Sequence, residues 1–193
     1  MNAFLVSLAT VAFAEIGDRT QLLSLCLAAH YRRPWPILAG ILTATLVNHA
    51  LAGVAGAVLA RFLTPLLLNT LVGASMVAMA LWTLRPDAPG GKDVPAGGHG
   101  IFFATLAAFF VAEIGDKTQI ATLTLAAAYP NLIAVVAGTT SGMMLANLPV
   151  VFLGGALAGR LSLRRINYAA ATIFAVLGAL FLARAFALWH GAG

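Results

Sequence analysis

Acidic residues are scarce in this sequence, six in 193 against eleven Lys and Arg. Charged residues of both signs make up only 9% of the chain, 61% is hydrophobic, and the mean hydropathy is +0.96. So little polar surface cannot clothe a soluble domain of this length, which excludes a water-soluble globule and implies an integral membrane protein. The net charge of +5 reflects missing acid more than abundant base. The basic residues form short clusters between apolar runs without interleaved aromatics, so no nucleic-acid partner is indicated. Cys26 is the single cysteine, which rules out an intrachain disulfide and any thiolate cluster for a soft metal. The N-terminus lacks a basic stretch and an Ala-x-Ala site ahead of its apolar run, so residues 2–29 read as a mature helix and not as a cleaved signal.

Long apolar runs are plentiful. They cover about 2–29, 36–60, 64–84, 101–128, 131–158 and 166–189, each long enough to cross roughly 30 Å of hydrocarbon. The expected fold is therefore an all-α integral membrane protein with six transmembrane helices. At about 28 residues the first and fourth runs would extend roughly 42 Å, more than a straight crossing needs, so both must tilt, kink or break. Gly17 and Gly115 lie near their middles and are the expected hinges. A Pro/Gly-rich linker, 86–100, separates residues 1–85 from residues 101–193. Gly40, Thr43 and Asn48 in the first half are echoed by Gly138, Ser141 and Asn147 in the second. Because three spans is an odd number, the second half enters the membrane from the opposite side, and the halves form two inverted three-helix repeats. Arg32, Arg33, Arg85, Lys92, Arg160, Arg164 and Arg165 fall on one side of the membrane, Arg61 and Arg184 on the other. That asymmetry places the linker in the cytoplasm and both termini outside a multi-pass protein of the cell inner (plasma) membrane.

Four of the six acids sit in one motif that occurs twice, Glu15-Ile16-Gly17-Asp18-Arg19-Thr20-Gln21 and Glu113-Ile114-Gly115-Asp116-Lys117-Thr118-Gln119, at a constant spacing of 98 residues. On a continuous helix, Glu15, Asp18 and Arg19 would share a face, as would Glu113, Asp116 and Lys117, each an acidic wall with its own cation. Charges at mid-membrane cost roughly 2.5 to 3.5 kcal/mol apiece, so six left alone would cost roughly 15 to 20 kcal/mol. Brought together they carry four negatives and two positives, and the remaining −2 matches one divalent cation. The expected metal-binding residues are Glu15, Asp18, Gln21, Glu113, Asp116 and Gln119, with Thr20, Thr118, Asn48 and Asn147 as supporting polar groups. Arg19 and Lys117 would hold the carboxylates together when the ion is away. This oxygen-only set suits Ca²⁺, Mn²⁺ or Mg²⁺ and disfavours Zn²⁺ and Cu⁺. Protons could replace the ion on the carboxylates. His49 has no counterpart in the second half, and its role is left open between packing and proton handling.

Glu-x-Gly-Asp-(Lys/Arg)-(Thr/Ser), present twice without departure, resembles the signature of the Gdt-type cation/proton exchangers, which include Golgi calcium/manganese transporters and bacterial manganese exporters. The resemblance covers the whole chain. It implies carboxylates that bind Mn²⁺ or Ca²⁺ as the transported ion, counter-movement of protons, and no separate cofactor. A bacterial-type chain of six spans is most similar to the manganese exporters. The expected partners are the divalent ion, protons and the lipid bilayer, with a homodimer allowed. A passive divalent-cation channel is the main alternative and would need a continuous wet pathway. An intramembrane aspartyl protease fits less well: its Gly-x-Gly-Asp pattern is missing, and a cation after each Asp favours ionisation of both carboxyls over a shared proton.

Overall fold

The computed structural model describes residues 2–84, 100–153 and 163–190, with side chains in the last stretch from 168 onward. These residues form α1 (Ala3–Glu15), α2 (Arg19–Tyr31), α3 (Pro34–Ala60), α4 (Pro65–Thr83), α5 (Gly100–Glu113), α6 (Lys117–Ala128), α7 (Leu132–Leu153) and α8 (Leu163–His190). No strand occurs among them. The linker 86–99, the side chains of Arg85, Lys92, Arg160, Arg164 and Arg165, and the end of the fifth apolar run after 153 lie outside the described residues.

Helices α3, α4, α7 and the Tyr168–His190 part of α8 are long and apolar enough to cross a bilayer. The two 28-residue runs depart from continuous helices: each is a pair of short ones, α1–α2 and α5–α6. A 13-residue helix such as α1 or α2 extends roughly 20 Å and is too short to cross alone.

The break follows from local chemistry. Gly17 (φ 86°) and Gly115 (φ 72°) are in the left-handed region, which ends the preceding helix at little cost only for glycine. The next residue in each case, Asp18 or Asp116, takes an extended conformation and caps the new helix: Asp18 Oδ1 accepts from Arg19 N–H at 2.7 Å, and Asp116 Oδ2 accepts from Thr118 N–H at 3.4 Å. Three residues on, the Gln21 and Gln119 carbonyl oxygens accept from the Gly17 and Gly115 N–H groups at 2.7 and 2.8 Å. This is close to a capping box, displaced outward by one residue. Thus Gly-Asp-x-x-Gln stops one helix and starts the next inside each apolar run. Pro34 and Pro65 open α3 and α4 at positions where a missing N–H costs nothing.

The half-helices cross over between the halves, with α1 packed against α7, α5 against α3, and α4 against α8. Small residues permit the approach. A Cβ on Gly138 would lie 2.5 Å from the Phe4 carbonyl oxygen, and one on Gly40 would lie 2.9 Å from that of Phe102. Each pair is the other displaced by 98 residues. Gly142 is equally tight, 2.5 Å from the Leu8 carbonyl oxygen. We therefore expect Gly142→Val to push α1 off α7 and to cost about 1 to 3 kcal/mol, read as a lowered thermal unfolding midpoint in detergent. A midpoint equal to that of the unsubstituted protein would contradict this packing. One apolar cluster, with Met76, Leu125, Val135 and Phe174, ties α4, α6, α7 and α8 together, and a second, with Leu27, Ile41 and Phe109, ties α2, α3 and α5.

Candidate functional site

The two helix breaks meet. Arg19 donates from Nη2 and Nε to Asp116 Oδ1 at 3.0 and 3.1 Å, and Lys117 Nζ lies 3.4 Å from Asp18 Oδ1. Each motif therefore neutralises the other's aspartate. The arrangement differs from the shared helix face expected from the sequence in two ways: Glu15, Asp18 and Arg19 do not share a helix face, because the helix ends at Glu15 and restarts at Arg19, and each cation pairs across the halves and not within its own motif. Adjacent side chains at a helix N-cap point apart, which leaves the facing motif as the nearer partner.

All four carboxylates are buried, at 0 or 1% exposure. Glu15, Asp18 and Asp116 each offer an oxygen within 4.8 Å of the others, a spacing at which three carboxylates can ligate one cation at 2.0 to 2.6 Å. Glu113 is held from α3: Thr45 Oγ1 donates to its Oε1 at 2.5 Å and Asn48 Nδ2 to its Oε2 at 2.9 Å. Glu15 is held from two helices, its Oε1 accepting from Thr20 Oγ1 of α2 at 2.6 Å and from Asn147 Nδ2 of α7 at 3.0 Å. Its Oε2 is buried without a hydrogen-bond partner among the described residues. An ionised oxygen in that state is costly unless a cation or a proton occupies it, so the donor set fits a hard cation.

The other expected residues are also local. Thr118 Oγ1 donates to Asp116 Oδ2 at 3.1 Å, and Gln21 Nε2 donates to the Ala146 carbonyl at 3.1 Å. The Gln21 and Gln119 carbonyl oxygens are engaged by glycine N–H groups, so offering them to a metal would undo the turn that positions the aspartates. Thr45 and Ser24 were missed by the sequence reading. Ser24 donates its hydroxyl to Asn147 Oδ1. Both were within reach of a spacing argument, since Thr45 precedes Asn48 by three residues and Ser24 follows Thr20 by four, each on the same helix face. His49 is fully buried, and neither ring nitrogen has a hydrogen-bond partner among the described residues.

The site is unequal at its two ends. The Arg19 side chain is 42% exposed and that of Lys117 only 5%. One aspartate–cation pair thus borders the outside of the helix bundle while the other is sealed within it.

Buried carboxylates drawn from two helix breaks, cross-neutralised by two cations and lying inside a bundle of membrane-length apolar helices, form an oxygen-rich cluster of the chemistry that suits a hard divalent ion. The chain belongs to the family described as divalent cation/proton antiporter GDT1, which matches residues 3–90 and 101–189. It is a multi-pass membrane protein that exchanges divalent cations for protons. It is 48% identical over 178 residues, 92% of this chain and 88% of the other, to a protein of Vibrio cholerae serotype O1 named "Putative manganese exporter". A GDT1-like protein of Synechocystis sp. is 30% identical over 197 residues, covering 90% of this chain and 93% of that one. No solved structure matches this chain.

Proposed function

We propose that this protein exports Mn²⁺ across the cell's plasma membrane in exchange for protons, by alternating access at a single site built from both motifs. The observation that carries this reading is the convergence of buried Glu15, Asp18 and Asp116 oxygens within 4.8 Å, contributed by segments 98 residues apart. The name of the Vibrio relative favours Mn²⁺, and oxygen ligands accept Mn²⁺ and Ca²⁺ alike.

In this reading Glu15, Asp18 and Asp116 bind the ion, and Glu113, next in line on the α3 side, completes the charge of −2. Thr20, Thr118, Asn48 and Asn147 orient the carboxylates, and Gln21 and Gln119 stabilise the turns at Gly17 and Gly115. When the ion leaves, protons take its place, and Arg19 and Lys117 keep the aspartates paired. The helix pairs α1–α2 and α5–α6 each make one broken crossing, which with α3, α4, α7 and α8 gives six crossings in two inverted repeats. The exchanged packing of α1 on α7 and α5 on α3 supports that symmetry. The Lys/Arg asymmetry favours both termini outside.

Proteoliposome flux tests this. An imposed pH gradient should drive Mn²⁺ uptake or release faster than Mg²⁺, with Ca²⁺ as the competing substrate. Flux that ignores the gradient, or ionic currents of channel size, would contradict exchange. A further expectation concerns Arg19. It meets Asp116 with two nitrogens, so Arg19→Lys should keep the charge and part of the flux, and Arg19→Gln should lose more. Equal flux in the two variants would show that the charge on residue 19 is not used.

A further inference from the structure

The seam between α4 and α8 carries a cavity that the carboxylate site does not use. Its volume is about 480 Å³, and its lining includes Leu68 and Asn69 of α4, Ala128 of α6, and Phe181, Arg184 and Leu188 of α8. A second cavity of about 430 Å³ shares Leu188 and extends past Thr64 and Pro65 to Trp189. Together they make a largely apolar groove at the N-terminal end of α4.

Arg184 is the unexplained group there. Its guanidinium lies 5.5 Å from the centre of the Phe181 ring, and it forms no ion pair among the described residues. No carboxylate of the described residues lies within ion-pair distance of it. Of six acids, Glu15, Asp18, Glu113 and Asp116 belong to the central cluster, and Asp87 and Asp93 lie outside the described residues. Arg184 stands six residues before the end of α8 at His190, roughly 9 Å along the axis. Trp189, 70% exposed, marks this level as the interfacial belt. A cation at that depth, on an apolar groove, with no carboxylate in ion-pair contact among the described residues, matches the phosphate of an anionic lipid.

We propose that the α4–α8 groove binds an anionic phospholipid, with its phosphate on Arg184 and an acyl chain along Leu68 and Leu188. The site is independent of the cation-exchange reading and stands or falls separately from it.

Native mass spectrometry of the full chain in mild detergent tests it, with phosphatidylglycerol and phosphatidylcholine of matched acyl chains. The expected result is preferential retention of phosphatidylglycerol by about tenfold, the worth of one charge-assisted phosphate contact. Arg184→Gln should abolish that preference. Leu188→Trp, which fills the groove while keeping the charge, should reduce retention of both lipids, and it keeps the test open should Arg184→Gln not fold. Equal retention of the two lipids by the unsubstituted protein would overturn the proposal, as would unchanged phosphatidylglycerol retention in both variants. Displacement of the lipid by millimolar inorganic phosphate would assign the site to the free anion, and a dimer lost in Leu188→Trp would assign the groove to a second copy of the chain. Either outcome also overturns it.

Discussion

Glu15→Gln should bring Mn²⁺ flux close to the background of empty liposomes. Glu15 is fully buried, two donors hold its Oε1, and its Oε2 has no hydrogen-bond partner among the described residues. That oxygen is placed to take a ligand within the cluster. Replacing a carboxylate by an amide removes one unit of charge beside a divalent ion. At an effective dielectric near 20, that interaction is worth several kcal/mol at contact distance, or at least about 100-fold in affinity. Asp116→Asn should be nearly as severe, because it removes a ligand and also strands Arg19. Asn147→Ala should be milder, about 10- to 100-fold, since Asn147 orients Glu15 without carrying charge. Flux and equilibrium Mn²⁺ binding measured on the same preparations check all three. Glu15→Gln binding Mn²⁺ with the affinity of the unsubstituted protein would remove Glu15 from the site.

Mn²⁺ affinity should rise steeply with pH. If one divalent ion and up to two protons compete for the same carboxylates, linkage requires each bound ion to displace the protons it replaces. The dissociation constant would then fall by up to about two decades per pH unit wherever both protons are present on the free protein. The titratable groups that bear on this are Glu15, Asp18, Glu113, Asp116 and Lys117, with buried His49 on α3 beside Asn48. Glu15→Gln and Glu113→Gln should each flatten the slope, which binding curves from pH 6 to 8 would show. His49→Gln separates packing from proton handling: an unchanged slope with a lowered thermal midpoint would make His49 a packing residue. A slope that is flat in the unsubstituted protein would leave proton exchange without a place in the cluster.

Much of this site was legible because the sequence is so poor in acid. Four of six carboxylates in a doubled motif inside apolar runs had to converge or pay for isolation, and Gly17 and Gly115 marked where the helices give way. The exchanged partners of Arg19 and Lys117 were not legible, because they depend on how two turns dock and not on spacing within either. Gln21 and Gln119 were read for their oxygen atoms, while the competing local signal, an Asp followed three residues later by Gln, is a helix-start signature that the backbone uses. Thr45 was overlooked for a different reason. Its pseudo-equivalent 98 residues on is Met143, so a search for matched polar pairs passes over it, although it lies one turn before Asn48 on the same face and donates to Glu113. Met143 itself faces Asn147, its Sδ 3.2 Å from Nδ2, so the two glutamates have similar but unequal surroundings.

The most direct test of a shared carboxylate site for metal and protons is to count protons released when purified protein binds Mn²⁺, by calorimetry in buffers of different ionisation enthalpy near neutral pH. Exchange at these residues predicts net release, rising toward two protons per Mn²⁺ at lower pH and reduced in Glu15→Gln and Glu113→Gln. Binding of Mn²⁺ with no proton release at any pH between 6 and 8 would contradict it.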